Sequence, residues 1–159
     1  MNRQWILVVG ISLASTTLVA CDSGKKTEAD FCSIVARTAT AQQDVVALLN
    51  SGDGAIPVPD EVKSVLTSFR GALSEMAAAA PAEIADDMVF VVNGFTAFDL
   101  ALQKVDYDYN RLFTDQEAAA AAEADMAAMD SPETQAAMAA VDAYSLTSCG
   151  IELKTSRGQ

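Results

Sequence analysis

Histidine is absent from the 159-residue sequence. The chain therefore has no imidazole for acid–base catalysis near neutral pH, and none to ligate zinc, iron or copper. Cations are scarce as well. Ten lysines and arginines face 22 aspartates and glutamates, for a formal charge of −12. So anionic a surface repels phosphate backbones, which argues against nucleic-acid partners. Aromatic residues make up 6% and 30 residues are alanine, so the bulky core is smaller than the 51% hydrophobic content implies. Also missing are a G-x-S-x-G elbow, a phosphate-binding glycine loop and an H-E-x-x-H pair. No catalytic residue is assigned, and the chain is expected not to be an enzyme.

What is present begins with an address. Arg3 gives a positive start and Trp5 to Leu13 an apolar run too short for an ordinary spanning helix. The run leads to Leu18-Val19-Ala20-Cys21. This string resembles the bacterial lipobox. The resemblance implies that residues 1–20 are a lipoprotein signal peptide cleaved before Cys21. It also implies diacylglycerol on the Cys21 thiol and a further acyl chain, such as palmitate, on the new amino group. Two or three acyl chains anchor stably where one is marginal. The expected location is the extracytoplasmic side of the cell membrane, held by lipid. Residues 21–30 then read as the acylated cysteine and a polar tether, without apolar periodicity.

With Cys21 acylated, Cys32 and Cys149 remain in an exported chain. An even remainder in an oxidising compartment points to one disulfide, the alternative being two buried free thiols. No C-x-x-C spacing suggests redox catalysis.

Residues 31–159 read as one helical domain. A first helix places Phe31, Ile34, Val35, Thr38, Gln42, Val45, Leu48 and Leu49 on one face, and the chain turns at Asn50–Gly54. A second helix starts at Asp60 as N-cap, with a stripe of Val62, Val65 or Leu66, Phe69, Leu73 and Met76. A third has Pro81 in its first turn and a seam of Ile84, Met88, Val91, Phe95, Phe98 and Leu102. Val89, Phe90 and Val92 widen that seam, so this helix is expected to be the central, most buried one. Gly94 in its middle marks a kink or a close contact. Thr114-Asp115-Gln116-Glu117 matches a capping box that opens an alanine-rich helix to Met129. Ser131-Pro132 starts a last helix carrying Met138, Val141, Tyr144 and Leu146, stopped by Gly150.

No strand-like alternation occurs, so the fold class is all-α. Five long helices running up and down would put Cys32 and Cys149 at opposite ends, about 30 Å apart. A four-helix bundle closed by the disulfide, with 115–129 an extra arm or half of a broken helix, removes the conflict.

One string suggests ion chemistry. Asp106, Asp108, Asn110, Thr114 and Glu117 occupy positions 1, 3, 5, 9 and 12 of a loop that resembles an EF-hand calcium site. The resemblance implies calcium as the one cofactor to consider. Arg111 departs from it, standing where such loops need glycine. The competing reading makes Glu117 part of the capping box. Tyr107 and Tyr109 alternate with the aspartates and are expected to form an exposed contact surface. The phenylalanines at helical spacing read as core. Their alternative is an apolar groove for a lipid or partner helix, with Met126, Met129 and Met138 as adaptable lining.

The lipobox, Phe31-Cys32, Ala80-Pro81-Ala82-Glu83-Ile84 with Asp87, and Cys149 together resemble the small secreted lipoproteins of actinobacteria. That likeness implies an exported, lipid-anchored helical domain with one disulfide, and brings no activity with it. The expected role is a non-enzymatic binding or protein-interaction domain in the cell envelope, its partner a protein or small molecule. The alternative role is a calcium-responsive domain.

Overall fold

The computed structural model of the chain describes residues 28–50 and 56–153. The expected signal peptide, Cys21 and most of the expected tether lie outside these residues, as do residues 51–55. The described chain forms six helices: α1 (Glu28–Leu49), α2 (Pro59–Ala79), α3 (Ala85–Gln103), α4 (Arg111–Thr114), α5 (Gln116–Met129) and α6 (Pro132–Cys149). No strand occurs among the described residues. None of these helices is long and apolar enough to cross a membrane.

Most helix faces follow the sequence pattern. Phe31, Ile34, Val35 and Thr38 bury one side of α1, and Val62, Leu66, Phe69, Leu73 and Met76 one side of α2. Thr38 is satisfied in the core, donating to Ile34 O at 3.0 Å and Ala72 O at 3.3 Å. Several boundaries differ. α1 starts at Glu28, so the polar tether gives up its last three residues to the helix. α2 starts at Pro59, with Val58 at the N-cap position and Asp60 inside the first turn. The fixed φ and missing N–H of proline suit the first helical position, and the carboxylates of Asp60 and Glu61 suit its positive end. Pro81 stands before α3, in a turn that Ile84 N–H closes on Pro81 O at 3.1 Å.

α3 is central but not sealed. It packs on α2, α5 and α6, while Val89 (56% exposed) and Phe90 (47%) face outward. These two do not widen its buried seam as expected. The seam itself stays on Ile84, Met88, Val91 and Leu102. In α6 the buried line runs through Met138, Val141 and Ser145, at i, i+3 and i+7. Leu146, one position further round the helix, is turned outward.

α5 and α6 follow one another along α3. Ala118 near the start of α5 packs with Leu102 and Val105, and Lys104 Nζ donates to Ala121 O at 2.8 Å. Met129, at the end of α5, and Thr134, in the first turn of α6, both meet Gly94 halfway along α3. Met138 and Val141 then join Val91 and Met88 in the larger core cluster. Ser131 makes the break, its Oγ accepting from Thr134 N–H at 3.2 Å with Pro132 in the first turn. Because α6 continues in the direction of α5, Cys149 arrives at the start of α1. There it bonds Cys32, with a Cα–Cα distance of 5.2 Å, beside the edge-on pair Phe31–Tyr144. Segment 116–129 is thus laid against α3, not projecting as an arm. Gly150 (φ 67°) ends α6, and its N–H bonds Leu146 O at 3.0 Å.

Candidate functional site

The chain leaves α3 through a turn that reverses it toward α4. Asp106 (φ 55°) and Tyr107 (φ 60°) both take the left-handed conformation, which costs a residue with a Cβ roughly 1–2 kcal/mol. The turn recovers some of that cost. Tyr107 N–H bonds Leu102 O at 2.8 Å, satisfying a carbonyl at the end of α3. The same backbone aims Tyr107 inward, where its hydroxyl donates to Asp99 Oδ1 at 3.2 Å. Asp99 is buried (3% exposed). Its other oxygen accepts from Gln103 Nε2 at 2.8 Å and from the Arg70 guanidinium. Burial, then the charge of Asp99 and the hydrogen bond to it, hold the Tyr107 phenol above its ordinary pKa. Lys63 Nζ lies 5.7 Å from the centre of its ring.

Tyr107 is therefore a support of the turn and not the exposed contact expected of it. Tyr109 is half-buried as well, packing against the smaller core cluster beside Leu112.

The five residues expected to ligate calcium are not drawn together. Asp106 points to solvent and meets Arg111 Nη1 at 3.5 Å, while Arg111 Nη2 reaches Asp115 Oδ2 at 3.1 Å. Asp108 Oδ1 accepts from Asn110 N–H at 3.1 Å. Thr114 Oγ1 donates to Asn110 O at 3.0 Å. Glu117 is exposed in the first turn of α5. Among the described residues no three carboxylates converge as a metal site would require. Arg111, at the position where such loops carry glycine, instead opens α4 and pairs with two of the nearby carboxylates.

The capping box is displaced by one residue. Asp115, not Thr114, caps α5, and its Oδ1 accepts from Glu117 N–H at 3.1 Å and Ala118 N–H at 3.0 Å. The Ala118 N–H, then the Arg111 side chain, hold the Asp115 carboxyl below its ordinary pKa.

Outside this turn the surface opens into a groove of about 490 Å³ between α4 and α5. Tyr109, Leu112, Phe113 and Met126 form its bulky apolar lining, joined by the small side chains of Ala119 and Ala120. Phe113 is 72% exposed, and its ring stands edge-on to Tyr109 at 5.1 Å. The remaining phenylalanines divide. Phe69 is core and meets Phe95 edge-on at 4.9 Å, Phe98 packs on the smaller cluster, and Phe90 faces out. Of the methionines expected as groove lining, Met138 is core and Met129 packs against it, so Met126 alone lines the groove. Sequence pattern marked Tyr107 and Tyr109 as the contact surface; Tyr109 does line this groove, but Phe113 is its most exposed aromatic residue. A one-turn helix is too short to show an apolar face by periodicity.

No family model, curated protein or solved structure matches the chain.

Proposed function

We propose that the protein is a lipid-anchored, non-enzymatic interaction domain on the extracytoplasmic side of the cell membrane, tethered through Cys21. Its frame is read as a four-helix bundle of α1, α2, α3 and α6, with α5 as the other half of a broken fourth helix. The observation that carries this reading is the groove between α4 and α5. A phenylalanine 72% exposed, set beside leucine, methionine and alanine side chains, offers a partner an apolar surface. The short span from Cys21 to α1 keeps the domain close to the bilayer, where envelope proteins are within reach. The absence of histidine from the sequence supports the non-enzymatic part.

The test is photo-crosslinking in the protein's own membrane. A photoreactive phenylalanine analogue is placed at Phe113, and as control at Ser64 on the exposed side of α2. One reproducible protein adduct from position 113, absent from position 64, is expected. No protein adduct at position 113, or the same adducts from both positions, rejects the reading. Cys21→Ser in parallel should move the protein out of the lipid-anchored membrane fraction.

A further inference from the structure

Charge narrows what the groove can receive. From Leu112 to Leu153 the chain carries eight acidic side chains and no lysine or arginine. Earlier cations are already engaged: Arg37 with Glu75, Arg70 with Asp99, Lys104 with Asp125, and Arg111 with Asp106 and Asp115. Lys63 lies over Tyr107. Every lysine and arginine among the described residues thus has a local partner; Lys104 and Arg111 reach Asp125 and Asp115 of the α5 segment, and among the described residues no ion pair reaches Glu117 or Glu123. Glu123 stands in the groove lining and Glu117 is exposed in the first turn of the same helix.

A second copy of this chain would bring the same negative face and be repelled. Anionic lipid headgroups carry that sign too. The apolar lining still calls for an apolar occupant, and the small alanine side chains admit a helix at close range, since interaxial distance is set by the side chains at the contact. We propose that the groove receives a cationic amphipathic helix of a partner protein. Its apolar face covers Phe113, Leu112 and Met126, and its lysines or arginines lie over Glu117 and Glu123. The inference rests on the reading of the groove as an interaction surface and adds the chemistry of the partner.

The probe is a pair of helical peptides with identical leucine positions, one with lysine and one with glutamate at every polar position. The full-length protein, in neutral detergent and carrying the photoreactive analogue at Phe113, is irradiated with each. The lysine peptide is expected to give at least about tenfold more adduct, as opposite charges raise local concentration and encounter rate. Raising NaCl from roughly 50 to 300 mM should cut that yield several-fold, because the charges involved are exposed. Glu117→Gln with Glu123→Gln should do the same without salt, and both sites are exposed enough to leave the fold intact.

Equal adducts from the two peptides, or a yield indifferent to salt and to the glutamine variants, overturn the proposal. So does a preference for self-adducts, or for lipid adducts in phosphatidylglycerol vesicles. A protein adduct that persists in the native membrane while the peptides fail rejects the cationic helix and leaves the interaction surface standing.

Discussion

Arg70, on the exposed side of α2, turns its guanidinium onto the buried carboxylate of Asp99 in α3. The two side chains differ in a way that fixes the energetics: Arg70 is 48% exposed and Asp99 4%. Arginine keeps much of its hydration in the pair, whereas the carboxylate gives up nearly all of its own. Gln103 and Tyr107 supply the neutral donors that make its burial tolerable.

Removing the cation should accordingly cost more than neutralising the anion. Arg70→Met strands a buried carboxylate and is expected to cost about 3 kcal/mol. Asp99→Asn keeps a carbonyl acceptor in place and should cost about 1 kcal/mol. Urea unfolding of both variants reads the order, and a reversed order refutes this account of the pair.

The Tyr107 phenol should ionise above the ordinary tyrosine value of about 10. A folded-state pKa above the unfolded one means that the unfolded chain ionises first as pH rises. The stability this phenol contributes is complete below about pH 10 and is lost as pH climbs through its folded pKa. Ultraviolet difference titration against Tyr107→Phe isolates the group. In Asp99→Asn the midpoint should move down toward 10, since a charge and an anionic acceptor are gone.

Gly94 is where α5 and α6 meet the middle of α3. A Cβ at that position would stand 2.6 Å from Thr134 Cγ2. Thr134 cannot simply rotate away, because its hydroxyl donates to Ala128 O at 3.1 Å and accepts from Ser131 Oγ at 3.0 Å. Gly94→Ala is expected to cost about 1–3 kcal/mol by overpacking. With Thr134→Ser the methyl group is removed, and the same Gly94→Ala should then stabilise by up to about 1 kcal/mol through helix propensity. A change of sign between the two backgrounds in thermal unfolding is the result to look for.

Ser145 is fully buried in α6, and among the described residues its hydroxyl has no hydrogen-bond partner. Ser145→Ala removes an unsatisfied polar atom at almost no change in shape. A gain of about 1 kcal/mol in unfolding free energy is expected. A loss of stability would show that the hydroxyl is satisfied after all.

The Cys32–Cys149 bridge closes a loop with a sequence separation of 117 residues. Replacing both cysteines by alanine should lower stability by roughly 4–5 kcal/mol in the chain-entropy model. Thiol labelling of unfolded, unreduced protein should leave both residues unmodified.

The sequence by itself determined what depends on neighbours in the chain. Helical class follows from 3–4 spacing, the start of α6 from Ser131-Pro132, its end from Gly150, and the faces of α1 and α2 from their apolar stripes. Cysteine parity pointed to the disulfide. These are local or purely compositional signals, and they survive whatever the helices pack against. The Phe113 groove was illegible because α4 is one turn long. The inward Tyr107 was illegible because its orientation depends on two consecutive left-handed residues that no local rule requires.

Tertiary structure alone decided the partners. Asp99 showed its apolar flanks Phe98 and Leu102 in the sequence, but Arg70, 29 residues away, is brought to it only by the packing of α2 on α3. An EF-hand-like spacing became an arginine-bridged cap because Arg111 sits among those carboxylates and pairs with Asp106 and Asp115. The junction of α5 and α6 lies against the middle of α3 at Gly94, where the missing side chain of one helix admits Thr134 in the first turn of another. Spacing along a chain sets which face of a helix is apolar. Which neighbour covers that face is set by long-range packing that no local pattern encodes.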